Sequence, residues 1–337
     1  MKHVKLKIKD VLSKKETAYE ASYETENPFR DAMLPVPKTA IFKMKGYSVW
    51  CPAIIKVDNV YHMFCSRWAD TAFWGTSHII RATSKSLFGP YEYKETVMKP
   101  STFPHKWGQV GLHNPKIMKI KDKYLLYFLG IPSGHTGYAI SDKITGPWEI
   151  IDKPVIPINN PAMCISKNGK AYVVGKDNVK ENGNVIRKMR AFEADNYMGP
   201  FKMLGDTLNR LPYNFQLEDP AIWFNNNQYN IICTDWLGLI TSEQKSVVYL
   251  TSKDGINYKL YSRQAIWRRT DPIPIIDKKT SAIDTLYIEQ VERPEVYLNK
   301  KGEVEALMVG VIDRVAKDKK INYIMIRPVD KFVPKNK

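Results

Sequence analysis

Apolar residues return along this chain in pairs of short runs, and five times the pair opens on a proline. The segments begin at Trp50-Cys51-Pro52, His113-Asn114-Pro115, Asn159-Asn160-Pro161, Glu218-Asp219-Pro220 and Glu292-Arg293-Pro294, and they run to Trp68, Gly130, Lys176, Asp235 and Val311. In each, a strand-length apolar run follows the proline. A polar turn comes next, such as Val57-Asp58-Asn59 or Asn225-Asn226-Asn227, and then a second run rich in Tyr, Phe, Val and Ile. Aromatic and β-branched residues on both sides of such a turn predict a β-hairpin.

A second pattern follows three of the hairpins: Ala82-Thr83-Ser84 leads to Phe88-Gly89-Pro90-Tyr91, Ala139-Ile140-Ser141 to Gly146-Pro147-Trp148, and Ala191-Phe192-Glu193-Ala194 to Gly199-Pro200-Phe201. Thr251 to Tyr258 is a degenerate fourth copy. These read as third and fourth strands turned by Gly-Pro. The chain is therefore expected to be all-β, a five-bladed β-propeller of four-stranded antiparallel blades around a central channel. A two-sheet sandwich is the alternative. The apolar segment Thr39 to Met44 should complete the last blade beside Ile321 to Arg327. The expected domains are an N-terminal arm over 1–37 with a short helix at Glu16 to Tyr23, a propeller over 38–332 and a basic tail over 333–337.

Composition narrows the class. Of 337 residues, 44% are apolar and 26% charged, which excludes wholesale disorder and a membrane bundle. The net charge of +16 fits either an anionic partner or a lysine-rich proteome. No apolar run reaches membrane-spanning length, and the N-terminus is basic without an apolar stretch behind it. Cytoplasmic location follows if Met1 is the native start, periplasmic or secreted location if a signal peptide was removed. Cys51, Cys65, Cys164 and Cys233 are widely spaced within apolar runs and read as buried free thiols. Phosphate loops, zinc-peptidase and serine-hydrolase motifs are absent from the sequence. The lysines scatter over turns without a nucleic-acid-binding motif, so neither nucleic acid nor membrane is an expected partner.

In a propeller the first strand of each blade lines the channel, so the residues before the five prolines should converge at one end. They are Trp50 and Cys51, His113 and Asn114, Asn159 and Asn160, Glu218 and Asp219, Glu292 and Arg293. A concave ring of carboxylates, amides, His, Arg and Trp suits a sugar, with aromatic faces for the ring and carboxylates for acid and base work. On the rim, Arg67, Trp68, Asp70 and Trp74 form a candidate platform, and Trp236 is favoured over Trp107 and Trp267 as a further wall. Arg268 and Arg269 lie in the long insertion before the fifth hairpin, as an anion site or a solvated loop.

The repeat, the Asp219-Pro220 pair and the Glu292-Arg293-Pro294 triplet resemble the five-bladed glycoside hydrolases of family 43 and its relatives in families 32, 62 and 117. The resemblance spans about residues 38 to 330. It implies that Asp219 tunes a neighbouring pKa and orients substrate, and that Glu292 is the general acid. It also implies a first-blade aspartate as base or nucleophile, where this chain has Cys51. A neutral thiol cannot replace a carboxylate base. His113, Glu218 and Asp70 are the candidates for a relocated base, and Arg293, alternating with Glu292 along the strand, is expected to point away from it. The expected function is an exo-acting glycoside hydrolase on plant or algal oligosaccharides, the charge suggesting uronated or sulfated ones. The alternative is a catalytically silent carbohydrate-binding propeller. No cofactor is expected to be required, although the channel of such a fold has room for a structural calcium. Oligomeric state is not legible.

Overall fold

Each of the five prolines sits in the same kind of β-bulge. The computed structural model describes residues 27–166, 168–181, 183–204, 216–316 and 319–332. Within it the hairpins are Tyr47–Val57 with Val60–Ala69, Gly111–Ile120 with Lys123–Ile131, Asn159–Ile165 with Ala171–Glu181, Leu217–Asn225 with Gln228–Asp235, and Gln290–Leu298 with Val304–Ala316. Glu218 pairs with Thr234 and Ala221 with Ile232, so Asp219 and Pro220 together oppose Cys233. The same two-against-one slip occurs at Trp50/Ala53, His113/Lys116, Asn159/Ala162 and Glu292/Glu295. A bulge accommodates proline because its missing N–H leaves no ladder bond broken.

The residue before each proline is left-handed: φ is 56° at Cys51, 56° at Asn114, 55° at Asn160, 59° at Asp219 and 57° at Arg293. Asn and Asp tolerate this region, whereas Cys and Arg there carry strain of roughly 1–3 kcal/mol each. Such strain persists where surrounding structure fixes it. The hairpin turns are cheaper, since Asp58-Asn59 and Asn226-Asn227 have positive φ at both positions, as the tightest antiparallel connections require.

Among the described residues five four-stranded antiparallel sheets and one three-stranded sheet result. Four of the five run in chain order from the bulged strand outwards. The fifth takes its outer strand from Ile41–Phe42, with Ile41 opposite Met325 and Phe42 opposite Ile324, so the beginning and end of the described chain meet as expected. The three-stranded sheet joins Val36–Pro37 to Ile273–Ile276 and Ile283–Leu286, giving regular structure to an insertion read as loop. Apolar clusters fill the spaces between sheets, the largest extending from Val49 and Met63 through Trp223 and Tyr249 to Met325.

The described part of the expected N-terminal arm is tied to the sheets. Asn27 caps the short helix Pro28–Asp31 through its side chain and donates to Gln264 O at 2.8 Å. Phe29 is fully buried against Tyr249 and Phe332, and Arg30 pairs with Asp271. The helix expected at Glu16 to Tyr23 and the tail at 333–337 lie outside the described residues. Among the described residues no helix is long and apolar enough to cross a membrane.

Candidate functional site

The bulges decide what the strands present. A regular strand sends alternate side chains to opposite faces, but a bulge breaks that alternation. Successive residues His113 and Asn114, Asn159 and Asn160, Glu218 and Asp219, and Glu292 and Arg293 therefore line one cavity of about 410 Å³, joined by Trp50. The expectation that Arg293 points away from Glu292 is corrected for this reason.

The five left-handed residues form a buried hydrogen-bonded hub. Cys51 Sγ donates to Asn114 Oδ1 at 2.7 Å, and Asn114 Nδ2 donates to Asn160 Oδ1 at 2.5 Å. Asn160 Nδ2 donates to Asp219 Oδ1 at 2.7 Å and to Glu218 Oε1 at 3.2 Å. Arg293 closes the arrangement, with Nη2 donating to Asn160 Oδ1 at 2.7 Å and Nη1 3.1 Å from Asp219 Oδ1. Burial pushes the Cys51 thiol up to about 12, so it is a donor here and not a nucleophile. Burial also raises the Asp219 carboxyl, against the pull of Arg293 and with the help of Glu218 and Glu292.

Every other carboxylate in the pocket is ion-paired. Lys176 Nζ donates to Glu218 Oε1, and Arg187 Nε lies 3.2 Å from Glu218 Oε2. Lys245 Nζ donates to Glu292 Oε1 at 2.5 Å, and Gln290 Nε2 donates to the same oxygen. Lys245 and Arg187 both lie over the ring of Trp236. One step along the inner strands, Lys116 pairs with Glu295.

Among the described lining residues His113 is a titratable group without an ion pair. Its Nδ1 is 2.7 Å from Ser77 Oγ, whose hydroxyl also lies 2.9 Å from the Leu112 carbonyl. A hydroxyl has one proton, and the carbonyl can only accept it, so Ser77 accepts from Nδ1–H and leaves Nε2 as an acceptor. Burial keeps the ring neutral, holding its pKa well below the ordinary histidine value, with Arg293 adding to the effect. Trp68 and Trp74 pack on it at centroid distances of 5.7 and 5.2 Å.

Of the residues expected from sequence, Glu292, Asp219, His113, Glu218, Trp50, Trp68, Trp74, Asn114, Asn160, Trp236 and Arg293 line the cavity. Cys51 does not; its buried thiol is turned to Asn114. Arg67 is turned away because it precedes Trp68 in a regular strand. Its guanidinium lies over Tyr47 and Tyr93, with Nη2 donating to Thr96 Oγ1 at 3.1 Å. Asp70 is exposed beyond that strand and accepts from Ser48 Oγ at 3.0 Å, outside the lining. Trp107 and Trp267 are core residues, and Arg269 pairs with Glu243. Lys176, Arg187, Asn322, Ile312 and Leu129 line the cavity without having been singled out.

A channel calcium does not fit these residues. The bulged strands do carry carboxylates, but Asp219 is already held by Arg293 and Glu295 by Lys116, which leaves no free ligand oxygens for a dication. Among the described residues no group of three or more His, Cys, Asp or Glu side chains could hold a metal ion.

Solved glycoside hydrolases share this fold. A family 117 enzyme from the marine bacterium Zobellia galactanivorans superposes with a TM-score of 0.60 at 15% identity, covering 86% of this chain and 87% of that one. A thermostable family 43 enzyme gives 0.59 at 14% identity, over 90% and 97%. A family 43 β-xylosidase/α-arabinofuranosidase from a compost microbial metagenome, solved with xylotriose in a calcium-free form, gives 0.57 at 14% identity, over 88% and 93%. No family model and no curated protein sequence matches the chain.

Proposed function

We propose that the five four-stranded sheets are the blades of one propeller, with the segment 27–37 clamped to it, and that the protein is an exo-acting glycoside hydrolase for plant or algal oligosaccharides. The observation that carries the reading is a single cavity lined by Trp50, Trp68, Trp74 and Trp236 around Glu218, Asp219, Glu292 and the acceptor nitrogen of His113. Aromatic faces and buried polar groups in one concavity are what a sugar ring needs. Among the described residues Asn159 Oδ1 is a buried acceptor without a hydrogen-bond donor, which a sugar hydroxyl would satisfy.

In this reading the proton held between Lys245 and Glu292 passes through Glu292 to the leaving oxygen, which leaves Lys245 neutral, and His113 Nε2 takes a proton from the attacking water, replacing the carboxylate absent at Cys51. Asp219 fixes Arg293 and through it the hub, and Glu218 orients substrate between its two cations. The extended hairpin through Lys176 and Arg187 and the long strands bearing Ile312 and Asn322 wall the cavity, which favours attack on a chain end.

A second reading, a carbohydrate-binding propeller without turnover, is favoured by one observation: Cys51 is a buried, protonated thiol. Incubation with a panel of neutral and acidic oligosaccharides separates the two. New reducing ends support the hydrolase, while calorimetric binding without them across the panel supports the binding protein.

A further inference from the structure

We infer that the cavity selects a sugar whose terminal ring bears a negative charge, with Arg187 as the anchor, an inference that rests on the carbohydrate reading and deepens it. The charges around the cavity do not cancel. Arg293 pairs with Asp219 and Lys245 with Glu292, whereas Glu218 alone is shared by Lys176 and Arg187. Four cations thus meet three carboxylates, and the surplus lies beside Glu218. The side chain of Lys176 is only 14% exposed, while that of Arg187 is 30% exposed, so the reachable surplus is on Arg187.

Its other contacts leave it free to bind. Arg187 Nη1 donates to Gln216 Oε1 at 3.0 Å and Nε faces Glu218, while Nη2 has no hydrogen-bond partner among the described residues. The guanidinium carbon lies 4.5 Å from the Trp236 centroid, so the indole holds the cation against the cavity wall. A guanidinium presents paired N–H groups that match a carboxylate or a sulfate ester. A neutral ring would leave the surplus charge uncompensated in a half-buried site. An acidic one neutralises it, and the +16 charge of the chain draws such molecules in.

Calorimetry at neutral pH with thio-linked oligosaccharides, which resist cleavage, tests this. Each uronate-terminated or sulfate-terminated ligand is compared with its neutral parent of the same linkage. The wild type should prefer at least one acidic form by about tenfold or more, and Arg187→Gln should bring the pair within about threefold. Preference for the uronate or for the sulfate identifies the source of the charge. Equal binding of acidic and neutral forms by the wild type overturns the inference and leaves the carbohydrate reading standing. Binding of neither across the panel overturns both. The wild-type comparison decides even if the variant does not fold.

Discussion

Ser77 Oγ stands 2.7 Å from His113 Nδ1 and 2.9 Å from the Leu112 carbonyl, and it thereby assigns the imidazole proton to Nδ1. The neutral ring has a consequence for stability. Burial holds the folded-state pKa well below 6.5, so below that pH the unfolded chain takes up a proton that the native ring refuses. The contribution is whole above the unfolded value and is lost as pH falls toward the folded one, at roughly 1.4 kcal/mol per pH unit. Urea denaturation between neutral pH and pH of about 5 should show the wild type losing stability relative to His113→Asn. A gap that stays constant over this range would contradict the buried neutral ring.

Glu292 and Asp219 should respond differently to removal of their charge. Glu292→Gln strands the largely buried Lys245 ammonium over Trp236 and should lower stability, while turnover falls about 100- to 10,000-fold and sugar binding survives in the folded protein. Asp219→Asn strands the buried Arg293 guanidinium and should cost about 3–5 kcal/mol of stability. Near-normal turnover in Glu292→Gln, measured as reducing ends released, would remove it as the acid.

All four cysteines are buried, and Cys51 is lifted to about 12. A thiol reagent at mildly alkaline pH should therefore find no rapid reaction in the native protein and all four thiols after denaturation. Cys51→Ser keeps a small donor for Asn114 Oδ1 and should change Tm and sugar affinity little. Fast labelling of native Cys51 would show that the hub opens.

Calcium should be without effect. A ligand bound only by the native state raises Tm in proportion to its saturation. With Asp219 held by Arg293 and Glu295 by Lys116, neither excess calcium nor a chelator should move Tm. A calcium-dependent rise would mean that these cations yield to the metal.

The five prolines made the hairpins and their order legible, and the apolar run Thr39 to Met44 did so for the meeting of Ile41–Phe42 with the last sheet; proline inside a strand is confined to bulges and edges. A bulge suspends strand alternation, which is why Arg293 and Glu292 share the cavity. Where alternation did apply, at Arg67 and Trp68, it admits only one of the two, and Trp68 faces the site. Arg187 and Lys176 were hidden because the third hairpin continues well past Lys176, to Glu181 and back from Asn184. The Asn182-Gly183 pair in the sequence was the available turn signal. Lys245 left no local trace, since its partners Glu292 and Trp236 come from two different hairpins.

The hub also has a direction. From Cys51 through Asn114 and Asn160 to Asp219, each side chain gives its hydrogen to the next, and Arg293 meets the far end with positive charge. An aspartate at position 51 would face Asn114 Oδ1 and force that amide to turn over, Asn160 after it, until a carbonyl oxygen met Asp219 and Glu218. Arg293 would then lose the Asn160 acceptor it now uses. The thiol in the first sheet and the arginine in the last are therefore two ends of one polarised chain, and placing a carboxylate at the beginning would require reversing all of it together.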